Sequence, residues 1–169
     1  MRHWFCVTNP YNWLIVKQQR IWGVDYRYQT TIKDRAIEQD TLVFYVLQNT
    51  RPALKRYIQN SKLTPQQLNE LNLVRGCFVE IWEISNKYIE DNTHIGWVNR
   101  DGAPEAYPHR RSISLFMEPQ KPVPLNPNAE IFKELIFITD KTSSWYNILY
   151  SSMTLISFED LQVFQRFCK

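Results

Sequence analysis

Apolar residues fall into short blocks along the chain, and the spacing inside each block alternates between strand-like and helix-like. Trp4-Phe5-Cys6-Val7 is a continuous apolar run, the pattern of a short buried strand. It leads into Asn9-Pro10, an N-cap residue followed by one whose fixed φ suits the first helical position. A helix is therefore predicted over about Pro10 to Arg20, with Trp13, Val16 and Lys17 on one stripe and a polar end at Gln18 to Arg20. Trp22-Gly23-Val24 leaves that helix. Thr41 to Leu47 is nearly all β-branched or aromatic, which predicts a central strand covered on both faces. Arg51 to Asn72 divides into two short helices. Leu54, Tyr57 and Ile58 share a face of the first, and the second opens with a capping box of Thr64, Pro65 and Gln67 that turns Leu68 and Leu71 inward.

Cys77 to Ile84 returns to strand, and in Arg111 to Met117 the residues Ile113, Leu115 and Met117 alternate with Ser112 and Ser114. Pro119, Pro122, Pro124 and Pro127 predict an extended strap over the surface, because proline suits neither a central strand nor a helix interior. Ser157 opens a last helix with Asp160 in its first turn and Leu161, Phe164 and Cys168 near one stripe. Short strands bracketed by helices predict an α+β fold: a small, curved, antiparallel β-barrel flanked by helices, with 51–72 as an inserted helical hairpin. No repeat, low-complexity block or linker divides residues 1–169, so one domain is expected.

Composition narrows the class without naming a function. Hydrophobic residues make up 44% and charged residues 22% of 169, as in an ordinary soluble globular protein. No apolar run approaches the roughly 18 residues that span a bilayer, and the N-terminal stretch lacks the apolar length of a signal peptide; a cytoplasmic protein is expected. Cys6, Cys77 and Cys168 are odd in number and lie in apolar surroundings, which fits a reducing compartment. They and His3, His94 and His109 lack the close spacing of zinc ligands, so neither metal nor other cofactor is expected. Aromatics are abundant, at 14% with six Trp and nine Tyr, and supply either stacking platforms or a core of large side chains. A net charge of +3 and a pI near 8.7 favour a polyanionic partner only mildly. Glu80, Glu83, Glu90 and Asp91 have no neighbouring nucleophile or histidine to form a catalytic set and read as solvated charges.

Four segments, Phe5 to Pro10, Asn12-Trp13, Ile21 to Val24 and Asp40 to Val46, together resemble the EVE domain family in order and spacing. Tyr107-Pro108 with Arg110, Leu135 to Thr139, Lys141 to Trp145, and Ile156 with Glu159-Asp160 resemble its second half. The resemblance implies a PUA-like small barrel, akin to YTH domains that bind methylated adenine in RNA, and a family associated with modified bases in DNA or RNA. Two departures stand out. Gln39-Asp40 replaces the family's usual Gly-Asp, so that turn is expected to hold a conformation open to a residue with a Cβ. The 51–72 hairpin stands where the family more often has a short turn, and it can reshape the mouth of a pocket.

The expected function is non-enzymatic binding of a modified nucleobase in nucleic acid, DNA or RNA. Trp22 is the leading stacking residue, by similarity to the YTH segment that places a cage aromatic there, and Gly23 and Val24 offer backbone at close approach. Asn9 carries donor and acceptor for a base edge, with Thr8 beside it, and is equally an N-cap. Tyr45 is placed either into the pocket or beneath it, and Tyr26, with Tyr28, forms either a second wall or amphipathic surface. Arg110 and Arg111, after His109, suit phosphate contacts or a solvated loop. Trp13 and Trp145 are assigned to packing. Two alternatives remain: a hydrolase of modified nucleosides like the related ASCH domains, for which no matching Lys, Thr and Glu set is found, and a protein-interaction domain using the polar face of the hairpin (Gln59, Asn60, Lys62, Gln66, Asn69).

Overall fold

The two most apolar blocks become adjacent strands. In the computed structural model, which describes residues 1–139, 141 and 145–168, β1 (His3–Thr8) and β3 (Thr41–Val46) are buried along their whole length. They run parallel, His3 beside Thr41 through to Thr8 beside Val46. The expected all-antiparallel sheet is therefore mixed. Between these strands the chain passes through α1 (Pro10–Gln19), β2 (Ile21–Val24) and two helical turns, a crossover that returns it in the same direction, where a hairpin would reverse it.

After β3 come α2 (Pro52–Asn60), α3 (Pro65–Val74), β4 (Cys77–Ile84), the two-residue β5 (Ile89–Glu90), β6 (His109–Met117), β7 (Val123–Pro124), α4 (Glu130–Glu134), β8 (Met153–Ile156) and α5 (Phe158–Gln165). The sheet runs in the order β2-β6-β4-β3-β1-β8. β6 makes it curl: its first half pairs with β2, Val24 beside His109, and its second half with β4, Ile84 beside Ile113. Irregularities in register at Phe44/Tyr45 and Ile81/Trp82 add bend. The result is a strongly curled half-barrel flanked by helices.

Alternation along the central strands divides the core in two. Trp4, Cys6, Leu42, Phe44 and Val46 face Trp13 and Val16 of α1, whereas Phe5, Val7, Val43 and Tyr45 face Phe132 of α4 and Leu161 and Phe164 of α5. Each large side chain so buried contributes about 1.5–3 kcal/mol. The α2–α3 hairpin forms with its capping box, Thr64 N–H to Gln67 Oε1 at 2.9 Å and Gln67 N–H to Thr64 Oγ1 at 3.2 Å. Its Leu54, Ile58 and Leu71 make a third, smaller cluster with Val98. The proline-rich strap lends Val123–Pro124 to the start of β4 and buries Leu125.

Two local expectations change. Glu80 is buried, not solvated: its carboxylate accepts the Trp82 indole N–H at 2.8 Å and lies 3.2 Å from Lys17 Nζ. Gln39 takes φ +71°, a left-handed turn that costs a residue with a Cβ about 1 kcal/mol or more. It is held there because its N–H donates to Ile84 and Asp40 N–H closes the turn on Ile37. Of the Lys141 to Trp145 segment, residues 142–144 lie outside the described residues. Among the described residues no helix is long and apolar enough to cross a membrane, and all three cysteines are buried and unbridged.

Candidate functional site

Asn9 takes extended backbone (φ −79°, ψ 158°) and its Oδ1 accepts the Asn12 N–H at 2.8 Å, so the predicted N-cap forms. At the far end of α1, Arg20 turns in the left-handed region (φ 55°) and β2 follows at once. This turn brings Trp22 and Gly23 to the same cavity as Thr8, Asn9 and Asn12. The cavity measures about 60 Å³, far below the about 300–1,000 Å³ usual for a ligand site.

The reason it is small is Trp97. A Cβ on Gly23 would stand 2.5 Å from Cη2 and 2.6 Å from Cζ3 of that indole, and 3.0 Å from the Tyr107 carbonyl. The Trp97 ring lies where any other residue at position 23 would put its side chain, so glycine is required by packing. Tyr107 meets the same ring edge-on at 5.5 Å, and the Arg110 guanidinium stands 5.3 Å from its centre.

The loop that carries Trp97 is fixed from three sides. Asn12 imitates a strand partner: its Nδ2 donates to the Val98 carbonyl at 2.8 Å and its Oδ1 accepts the Val98 N–H at 2.9 Å, with Asn9 Nδ2 on the same carbonyl at 3.3 Å. From outside, the hairpin packs against it. Val98 joins the cluster of Leu54, Ile58 and Leu71, a Cβ at Gly102 (φ +79°) would lie 2.8 Å from Tyr57 Cβ, and Arg51 pairs with Asp101 at 3.0 Å. From behind, Arg110 donates to the carbonyls of Thr93, Ala106 and Tyr107 and meets Asp91 at 2.9 Å.

Each residue singled out in the sequence thus has a place. Thr8, Asn9, Trp22 and Gly23 are together in the cavity. The Trp22 side chain packs edge-on against Phe44 at 5.1 Å in the core under α1, and its indole N–H has no hydrogen-bond partner among the described residues. Val24 is core, 1% exposed, and Tyr26 is 77% exposed; neither lines the cavity. Trp13 is fully buried, as its helical spacing predicts. Arg110 and Arg111 are 2% and 5% exposed, and their donors go to the chain's own groups, those of Arg111 to the carbonyls of Ile32, Lys33 and Asn86. Arg110 braces the Trp97 loop, Arg111 ties β6 to the turn at 31–35, and neither presents its guanidinium to solvent.

Tyr45 lines a second, wider cavity of about 580 Å³ next to the first, together with Arg51, Trp145, Tyr146 and Tyr150. Asn9, Leu47, Arg100 and Leu149 line both. Trp145 is half-buried and meets Phe132 edge-on at 5.0 Å, so it both packs and lines this cleft. Among the described residues neither lining contains His, Cys, Asp, Glu or Lys. Burial holds the Tyr107 hydroxyl up to about 12 and raises that of Tyr45 as well, so both phenols are protonated at neutral pH. Among the described residues no three His, Cys, Asp or Glu side chains gather as metal ligands.

Trp97, Asn12 and Arg100 line the candidate site and are residues that pattern reasoning passes over. The available signal is that Trp97 is the one aromatic residue, with only Ile95 and Val98 as apolar company, in the polar, non-periodic stretch from Asp91 to Asp101.

No family model matches the chain. It is 30% identical over 169 residues to a UPF0310 protein of Pyrococcus abyssi, covering 98% of this chain and 98% of the relative. A UPF0310 protein of Pyrococcus horikoshii is 30% identical over 113 residues, 67% of this chain and 65% of that one. Two similar solved structures share the fold. One is a Rhodopseudomonas palustris protein solved by NMR (TM-score 0.54, 12% identity, 99% of this chain and 93% of that one). The other is a YTH domain from Zygosaccharomyces rouxii in complex with N6-methyladenosine RNA (TM-score 0.54, 14% identity, 99% and 88%). The half-barrel is PUA-like.

Proposed function

The chain belongs to the UPF0310 family, and from that premise we propose that it binds a modified base of a nucleic acid in the cavity between Thr8-Asn9, Gly23 and Trp97, without catalysing a reaction on it. The observation that carries this reading is the meeting of these residues, from β1, α1, β2 and a distant loop, in one aromatic cavity on a fold shared with a YTH domain in complex with methylated RNA. The finer kinship, to EVE domains, and a place in the cytoplasm belong to the same proposal.

A base must leave its stack to be read, at a cost of a few kcal/mol in a duplex. Stacking on an aromatic ring returns about 1–3 kcal/mol. Trp97 is the ring suited to this, and because a 60 Å³ cavity is smaller than a base, its indole must slide off Gly23 to admit one. Trp22 moves from stacking platform to wall. Its unpartnered indole N–H and the second N–H of Asn9 Nδ2 are donors for a ligand's acceptors. With no carboxylate, histidine, thiol or amine on the lining among the described residues, the site offers binding groups and, among those residues, no general base or strong nucleophile.

The test is fluorescence anisotropy with labelled single strands carrying N6-methyladenine or C5-methylcytosine, as DNA and as RNA, against unmodified strands. The parent is expected to prefer one modified strand by about tenfold, and Trp97→Leu to lose that preference while keeping its far-UV circular dichroism. If no modified strand is preferred, or if Trp97→Leu and Asn9→Ala both keep the parent's preference, the assignment fails. Turnover of an acylated cytidine by the parent would replace it with a hydrolase.

A further inference from the structure

We infer that the wide cleft beside the pocket holds the nucleotide next to the base being read, in a single strand, with Arg100 on the phosphate that joins the two. The inference rests on the reading of the pocket as a base site. Neighbouring nucleotides are linked through phosphate, so a base in the pocket brings its phosphate to the rim that pocket and cleft share. Asn9, Leu47, Arg100 and Leu149 form that rim, and Arg100 is its cation. The Arg100 side chain is exposed yet oriented: Nη2 donates to the Tyr150 carbonyl at 3.3 Å and the guanidinium stands 5.5 Å from the centre of the Tyr150 ring.

The walls have the chemistry that a strand's second base needs. Tyr146 and Tyr150 are 49% and 61% exposed, flat faces on which any base can stack. Gln48 and Asn49 bring donors and acceptors, and among the described residues no acidic side chain lines the cleft to repel phosphate. Asp101, next to Arg100 in sequence, is already paired with Arg51. At about 580 Å³ the cleft is within the about 300–1,000 Å³ of small-ligand sites, so it has room for one nucleotide but not for a duplex. The inserted hairpin supplies Arg51 and Leu54 to one wall. It therefore extends the site as well as bracing the Trp97 loop.

The experiment titrates fluorescein-labelled pentanucleotides, unmodified or with a central N6-methyladenine or C5-methylcytosine, single-stranded and duplex, over a series of salt concentrations. Single strands are expected to bind more tightly than duplexes. Tyr150→Ala is expected to weaken every single strand at least about fivefold. Arg100→Gln, an exposed change that leaves folding intact, is expected to reduce the slope of log K against log salt by about 0.7, one phosphate contact. Neither substitution should alter the ratio between modified and unmodified strands. Binding equal in parent and both variants, no binding of any single strand, or duplexes preferred overturns the inference. Strand binding that depends on Arg100 and Tyr150 but shows no preference for a modified base upholds the cleft and removes the pocket reading; a preference for modified strands that both variants leave untouched in strength does the reverse.

Discussion

The pocket and the cleft share four lining residues and are built in opposite ways. Around the pocket nearly every polar group is buried and paired: Asn12 clamps the Val98 amide, Arg110 gathers three carbonyls and Asp91, and the Trp97 ring fills the space above Gly23. The cleft has half-exposed tyrosines, an exposed ion pair and nearly ten times the volume, about 580 against 60 Å³. Close-fitting walls of paired polar groups discriminate between ligands because a misfit leaves those groups unsatisfied, whereas open stacking faces add affinity with little selectivity. The contrast teaches that selectivity and strength of binding are assigned to different residues, and substitutions should separate them.

The largest effect is expected from removing the brace behind the pocket. Arg110→Ala leaves the carbonyls of Thr93, Ala106 and Tyr107 without their donor, while Asp91 keeps the donors of Thr93, and the lost carbonyl bonds should cost about 3 kcal/mol in urea denaturation while abolishing preference for any modified base. Gly23→Ala is next. Its methyl group collides with the Trp97 indole and the Tyr107 carbonyl, and about 2 kcal/mol of stability should be lost, again with the preference. A milder perturbation reaches α1, which carries Asn9 to both cavities, from beneath. Burial raises the Glu80 carboxyl pKa above the ordinary 4.5 despite Lys17, so the folded protein holds this proton more tightly than the unfolded chain does. Its contribution to stability is full below pH 4.5 and falls as pH rises through the higher folded value, and Glu80→Gln should flatten that decline in denaturation midpoint. The smallest effect belongs to the cleft: Arg51→Ala breaks an exposed pair and should cost less than about 1 kcal/mol, with the preference retained. A cleft substitution that erased the preference, or a pocket substitution that only weakened all strands alike, would break the comparison.

What is legible in the sequence is local chemistry. The Asn9 cap, the Thr64–Gln67 box, the Ser157 start of the last helix and the apolar runs of β3 and β4 are each decided within a few residues, and they form as expected. Thr8, Asn9, Trp22 and Gly23 are found in one cavity for a related reason, since a ten-residue helix and one sharp turn join them. Trp97 is different. Its burial depends on Gly23 and on Asn12, 86 residues from the Val98 that it holds, and no window of sequence contains that relation. Arg110 and Arg111 look basic and exposed in a linear reading because a string of residues does not show which carbonyls will enclose a guanidinium. The direction of β1 against β3 is hidden likewise, being set by the path of the intervening chain.

The most direct test observes the indole N–H signals of the six tryptophans by NMR while each single-stranded pentanucleotide, modified or not, is added. The account predicts that one modified strand moves Trp97, as its ring leaves Gly23, and Trp22, as its N–H gains an acceptor, while Trp4 and Trp82 stay fixed. Shifts confined to Trp145, or the same shifts with the unmodified strand, would contradict it.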